Sequence, residues 1–160
     1  MFEKPRPWWH GAYLLRVGLG LLFLVAGAMK LADLPKFLQS VLNYDMVAGP
    51  AAGWLAVLLP VFEALVGLLL VLGWLQAGCL TAVAGLSGVF VFVHAYALKR
   101  GLNVECGCFG PVSLSGVAMI CVNVAVAIVA LWLLSDHLRS NITDKPKYRF
   151  SRDLMRKARR

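Results

Sequence analysis

Four stretches of this chain, residues 12–34, 54–75, 77–98 and 112–134, are apolar almost without a break, and short polar or Gly/Pro-containing segments separate them. Each is close to the ~20 residues that an α-helix needs to cross a ~30 Å hydrocarbon core, so the pattern predicts four transmembrane helices. Leu34-Pro35 closes the first span, because the residue before a proline is pushed out of the helical region. Residues 36–47 then place Phe37, Leu38, Val41 and Leu42 on one face at helical spacing, with Lys36, Gln39, Ser40 and Asn43 elsewhere. That segment is too short and polar to span. It reads as an amphipathic helix lying on the outer interface, with a partly ordered loop as the alternative. Gly49-Pro50 leads into the second span, and residues 73–78 join the second and third so tightly that they form an antiparallel hairpin. Small residues at Gly78, Ala82, Gly85 and Gly88 give the third span a face suited to close packing against a neighbour. Gly101 caps that span, and Pro111, Ser113 and Ser115 are start signals for the fourth. The predicted fold is an all-α membrane protein, a four-transmembrane-helix bundle with a short interfacial helix between helices 1 and 2. Residues 1–11 form a lead-in, 12–134 the membrane domain and 135–160 a basic tail.

Composition turns this from a helical pattern into a membrane protein. Of 160 residues, 60% are hydrophobic and 15% charged, with a mean hydropathy of +0.75, which excludes an ordinary soluble domain. Trp54 and Trp74 bracket the second span about 20 residues apart, matching ~30 Å at 1.5 Å per residue and suiting rings anchored at both interfaces. Trp8 and Trp9 stand similarly before the first span. Ala26-Gly27-Ala28 resembles a signal-peptide cleavage site, but the apolar stretch is about 20 residues long and Arg16 interrupts it early, so an anchor is expected.

Charge then gives an orientation. The formal net charge is +8, and nine Lys/Arg follow Leu134 against three Asp. Cytoplasmic segments carry the excess of basic residues, so the tail is expected in the cytoplasm. With four spans the N-terminus, bearing Lys4 and Arg6, falls on the same side, and the connection between spans three and four falls outside. Lys99 and Arg100 in that connection count against this and are outnumbered. The expected location is the bacterial inner membrane, multi-pass, with both termini cytoplasmic. A basic segment beside a membrane rests on anionic lipid, so lipid and not nucleic acid is the expected partner of the tail.

The outer connection holds the chemistry, in Glu105-Cys106-Gly107-Cys108-Phe109-Gly110-Pro111. One residue without a side chain separates the thiols, so the backbone can fold back and bring the sulfurs together. A disulfide closing so small a ring is strained, and strained, exposed disulfides are the labile, exchanging ones. The pair also lies on the side where disulfides persist in a bacterial-type cell. Three readings stay open: a dithiol redox centre, a static loop-closing disulfide in an accessory or assembly subunit of a larger membrane complex, and transfer of a soft metal ion such as Cu(I). Zn²⁺ wants four ligands, and this loop offers two thiols with at best His94 or Glu105, so no resident metal is expected. Cys79 and Cys121 fall at different depths and read as packing residues.

Two membrane-embedded residues join the cysteines as candidates. Glu63 sits near mid-membrane, where a carboxylate costs ~2.5–3.5 kcal/mol on insertion scales, so it must be protonated, paired or facing a polar cavity. Its role is either to handle protons or contact a quinone, or to fix the bundle by an interhelical bond with Arg16 or a serine. His94 lies about one turn from the outer end of its span. There an imidazolium can lower a thiol pKa, and the alternative is a histidine simply bonded to its own helix. Arg16 and Lys30 sit near opposite boundaries, from which long side chains snorkel.

Several segments resemble one family: Arg16-Val17-Gly18-Leu19-Gly20, Phe23-Leu24-Val25-Ala26-Gly27 with Lys30-Leu31-Ala32-Asp33-Leu34 and Phe37, Leu59-Pro60-Val61-Phe62-Glu63 with Gly67, and Arg100-Gly101 leading to Cys106-Gly107-Cys108-Phe109-Gly110. They are similar to the MauE/DoxX-type redox-associated membrane proteins over nearly the whole membrane portion. The resemblance implies four transmembrane helices and disulfide chemistry outside the cytoplasm, including methylamine dehydrogenase maturation beside a thioredoxin-like partner. The DoxX-type relatives imply quinone-coupled sulfur oxidation. The chain departs after Tyr44, where Asp45-Met46-Val47 replaces a Leu-Leu-Pro-like run. On this reading the chain is thiol:disulfide oxidoreductase-like. Cys106 and Cys108 form the exchanging pair, Glu63 and His94 stand in its proton or electron path, and quinone is the acceptor if electrons enter the bilayer.

Overall fold

A computed structural model describes residues 8–47, 49–101 and 116–143, and the Cys106/Cys108 pair and the tail from residue 144 lie outside the described residues. The described residues form five helices and no strand: α1 (Trp8–Ala32), α2 (Leu34–Asn43), α3 (Pro50–Leu72), α4 (Gln76–Lys99) and α5 (Gly116–Thr143). Four are long and apolar enough to cross a membrane, and α2 is the short amphipathic helix between the first two spans.

The junction of α1 and α2 differs in detail from expectation. Pro35 opens α2 instead of closing α1, a position where its missing N–H costs nothing. Asp33 breaks the two helices apart, with its carboxylate accepting from the Lys36 amide at 3.2 Å to cap α2. At the other end of the bundle, Gly73 terminates α3 in the left-handed region at φ 77°, and the Trp74 amide returns to the Leu69 carbonyl at 2.9 Å. This closes the α3–α4 hairpin within a few residues. Arg16 of α1 packs here: its Nη1 lies 2.8 Å from where a Gly73 side chain would begin, and its guanidinium covers the Tyr13 ring at 5.1 Å. A cation beside the C-terminus of α3 suits that helix's dipole. Arg16 is therefore far from Glu63 in role and does not pair with it.

The bundle consists of two closely packed antiparallel pairs, α1 with α3 and α4 with α5, joined by thinner α3–α4 and α1–α5 seams. Leu70, Leu80, Val83 and Ala130 fill the shared core with 0–2% exposure. Large apolar side chains such as Leu58, Phe92 and Ile128 cover the outside, as a bilayer requires.

The expected small-residue face is corrected by the structure. Gly78, Gly85 and Gly88 of α4 have nothing within 4 Å of an added Cβ and face outward. Close packing occurs between α1 and α3 instead. A Cβ on Gly27 would lie 2.7 Å from the Pro60 carbonyl oxygen, one on Gly20 would lie 2.9 Å from the Gly67 carbonyl oxygen, and one on Gly67 would run into the Leu24 backbone. The α1/α3 pair thus meets backbone to backbone.

Candidate functional site at the α2 end of the bundle

Lys30, in the last turn of α1, turns inward to Glu63 of α3. Its Nζ lies 2.7 Å from Oε1 and 2.6 Å from Oε2, and each side chain is 2% exposed. Glu63 is therefore paired, as its depth demands, with a partner expected to snorkel to the boundary. Two features hold Lys30 inside. The Gly27 contact brings α1 onto α3 one turn below it, and α2 folds back so that Phe37 covers it. The Nζ stands 5.4 Å from the Phe37 ring and 5.1 Å from the Phe90 ring of α4. Aromatic faces attract a cation and offset part of its desolvation.

His94 of α4 is 4% exposed. Its Nδ1 lies 2.7 Å from the Phe90 carbonyl oxygen, which can only accept, so Nδ1 carries the hydrogen. In the neutral ring Nε2 is then an acceptor, and the Tyr44 hydroxyl lies 3.3 Å from it as donor. Tyr44 follows the last residue of α2, and its ring meets the imidazole edge-on at 5.8 Å. Burial pushes the Tyr44 phenol above its ordinary pKa, which keeps it a donor. Next to it, Asp45 adopts φ 52° and forms an exposed salt bridge to Arg100 at 3.1 Å. So α2 is fastened to α1 and α3 at its start and to α4 at its end.

Between the helix pairs lies a cavity of about 40 Å³. Lys30, Glu63, His94 and Asn123 supply its polar walls, and Phe23, Phe90 and Met119 much of the rest. Asn123 donates through Nδ2 to the Met119 carbonyl at 2.9 Å. The structure brings Glu63 and His94 to one cavity. Lys30, Tyr44 and Asn123 are the members that sequence reasoning missed.

Cys106 and Cys108 lie outside the described residues, but the ends of their segment are fixed. A Cβ on Gly116 would lie 3.1 Å from Leu98 Cδ2, so the chain leaves α4 and re-enters α5 at neighbouring points. That is the α2 end, where His94 and Met119 line the cavity. Cys79 is buried, with its thiol 3.8 Å from the Trp74 carbonyl, and Cys121 is exposed on the outside of α5. Among the described residues no group of three His, Cys, Asp or Glu is placed to hold a metal ion. A quinone ring does not fit the cavity, which is far smaller than the ~300–1,000 Å³ of ordinary ligand pockets.

The sequence model of the family described as methylamine utilisation protein MauE matches residues 10–136. The chain belongs to the MauE family. The match takes in every residue of the site above and the Cys-Gly-Cys segment. The methylamine utilization protein MauE of Paracoccus denitrificans is 36% identical over 96 residues, covering 59% of this chain and 52% of the relative. The chain thus spans about half the length of that curated MauE. No solved structure matches. Family and helices together make this a multi-pass membrane protein of MauE type.

Proposed function

We propose that this MauE-family protein exchanges disulfides with a thioredoxin-like or disulfide-containing protein outside the cytoplasmic membrane, through Cys106 and Cys108. The observation that carries the reading is the tether: a segment containing Cys-Gly-Cys leaves Leu98 and returns at Gly116, and those two points touch. The two anchoring points lie at the end of the bundle where His94 and Met119 line the cavity. In the exchange, a thiolate of the pair attacks one sulfur of the partner's disulfide, that S–S bond breaks and a mixed disulfide forms. The second cysteine attacks the mixed disulfide, leaving the partner as a dithiol and the pair oxidised. Two electrons pass to the partner, and the reverse sequence returns them. The basic tail supports a cytoplasmic C-terminus and, with four spans, a periplasmic side for the pair. The name of the Paracoccus relative supports a place in methylamine utilisation, and the resemblance to the MauE/DoxX-type proteins implies maturation of a disulfide-containing enzyme as the role.

A second reading has its own support. The outward face of α4 with Gly78, Gly85 and Gly88 suits a helix of another subunit, which favours an accessory or assembly role in a larger complex. Trapping separates the two. Cys106→Ser or Cys108→Ser is expected to accumulate a mixed disulfide with one external protein, released by reductant and identified by mass spectrometry. A pair that never changes redox state in cells, with full function in the doubly substituted protein, overturns the exchange reading and leaves the accessory one.

A further inference from the structure

We propose that the cavity beside Lys30 and Glu63 is a hydrated chamber, and that its water makes Glu63 a proton-binding carboxylate in contact with the medium at the α2 end. This does not rest on the disulfide reading, since every residue in it belongs to the helices.

The first argument is hydrogen-bonding capacity. The Glu63 carboxylate has about four lone-pair sites and the Lys30 ammonium three N–H groups. Their mutual contacts at 2.6 and 2.7 Å use two of each. A buried ion pair is stable only when its remaining sites are also met, and two phenylalanine rings satisfy a cation without serving a carboxylate. The second argument is size and polarity. A water needs about 10–15 Å³ of such volume and two to four polar partners, so a cavity of about 40 Å³ takes about three. Four polar side chains from four helices converge on it: Lys30, Glu63, His94 and Asn123. Cavities that stay dry are lined by Leu, Ile and Phe alone.

The third argument is access. Glu63 lies thirteen residues into α3 (63 − 50), a depth of ~20 Å at 1.5 Å per residue. The chamber runs from Leu22 and Val126 in its depth to two shallow walls: His94 is five residues from the end of α4, and Met119 three from the start of α5, ~5–8 Å by the same measure. Water entering from the α2 end therefore reaches Glu63 without crossing an apolar plug as thick as the helices. The ligand class is water and, through it, the proton: a proton delivered by the chamber forms O–H on Glu63, and the same water solvates the freed Lys30 ammonium.

The test is X-ray radiolytic labelling of the full chain in lipid nanodiscs, read by mass spectrometry. Hydroxyl radicals formed at bound water oxidise the side chains beside it. Phe90 and Phe92 make a matched pair on α4, since Phe90 lines the chamber and Phe92 is exposed on the lipid face. The expected result is several-fold faster labelling of Phe90 than of Phe92, with ¹⁸O incorporated after rapid mixing with labelled water. Asn123→Leu, which replaces one polar wall and keeps the ion pair, is expected to bring the Phe90 rate down toward that of Phe92 with helical ellipticity unchanged. Equal labelling of Phe90 and Phe92 in the unsubstituted protein means a dry cavity and overturns the proposal.

Discussion

The two helix pairs of this bundle are held together by different means. α1 and α3 touch through glycines and carry a buried ion pair between them, whereas α4 and α5 meet through side chains and α4 turns its own glycines outward. The close pair is also the charged pair, for a geometric reason. A Cβ on Gly27 would collide with the Pro60 carbonyl, so only glycine lets α1 approach there, and that approach brings Lys30 within reach of Glu63. The two ion pairs repeat the contrast. Lys30 and Glu63 are each 2% exposed, while Arg100 and Asp45 are 47% and 82% exposed. Burial makes the first obligatory, and solvent makes the second dispensable.

The largest expected effect tests that contrast directly. Glu63→Ala or Lys30→Ala leaves one buried group with no partner but the chamber's water and should destabilise the bundle by up to about 3–5 kcal/mol, whereas Lys30→Met combined with Glu63→Leu should recover most of the loss. Asp45→Asn should cost less than about 1 kcal/mol, further reduced by salt. Unfolding in mixed micelles measures all four, and equal costs at Glu63 and Asp45 would erase the distinction. Next in size are the glycines. Gly67→Ala forces a methyl into the Leu24 backbone and should cost about 1–3 kcal/mol. Gly85→Ala meets open space and should be neutral or gain up to about 1 kcal/mol of helix propensity.

A smaller effect than those of the buried ion pair and Gly67 is expected at the fastening of α2. Tyr44→Phe removes the bond to His94 and should cost about 0.5–1.5 kcal/mol. Because burial raises the Tyr44 phenol pKa, the folded state favours the neutral form. Its stabilisation is complete below the ordinary phenol value of about 10 and falls as pH rises through the higher folded value. Ultraviolet titration should show a late-titrating phenol signal that is lost in Tyr44→Phe. Its absence would mean that α2 is not held against α4.

The four spans and the amphipathic α2 were legible in the sequence because the period and length of apolar residues are local properties. The need of Glu63 for a partner was equally plain from its depth. The identity of that partner was not. Lys30 sits near a helix end, where a long cation ordinarily reaches outward, and only the fold-back of α2 with Phe37 reverses it. The small residues of α4 misled for a related reason: a row of glycines marks a flat face without saying which helix lies against it. Tyr44 gave no periodic signal at all, because it stands just beyond α2. The Cys-Gly-Cys pair was read from its chemistry and spacing, and lies outside the described residues.

The hairpin at Gly73 also bears on how the protein is made. α3 and α4 are joined within a few residues and can enter the bilayer together, but the tightest pair, α1 with α3, is interrupted by α2. Lys30 and Glu63 are 33 residues apart, so at ~5–20 residues per second the ribosome leaves the lysine without its carboxylate for roughly two to seven seconds. During that interval the ammonium is expected to reach outward to the lipid headgroups, as a long cation near a helix end ordinarily does, until the acid of α3 arrives. The terminal turn of α1 is thus completed by a segment that reaches the membrane only after α1.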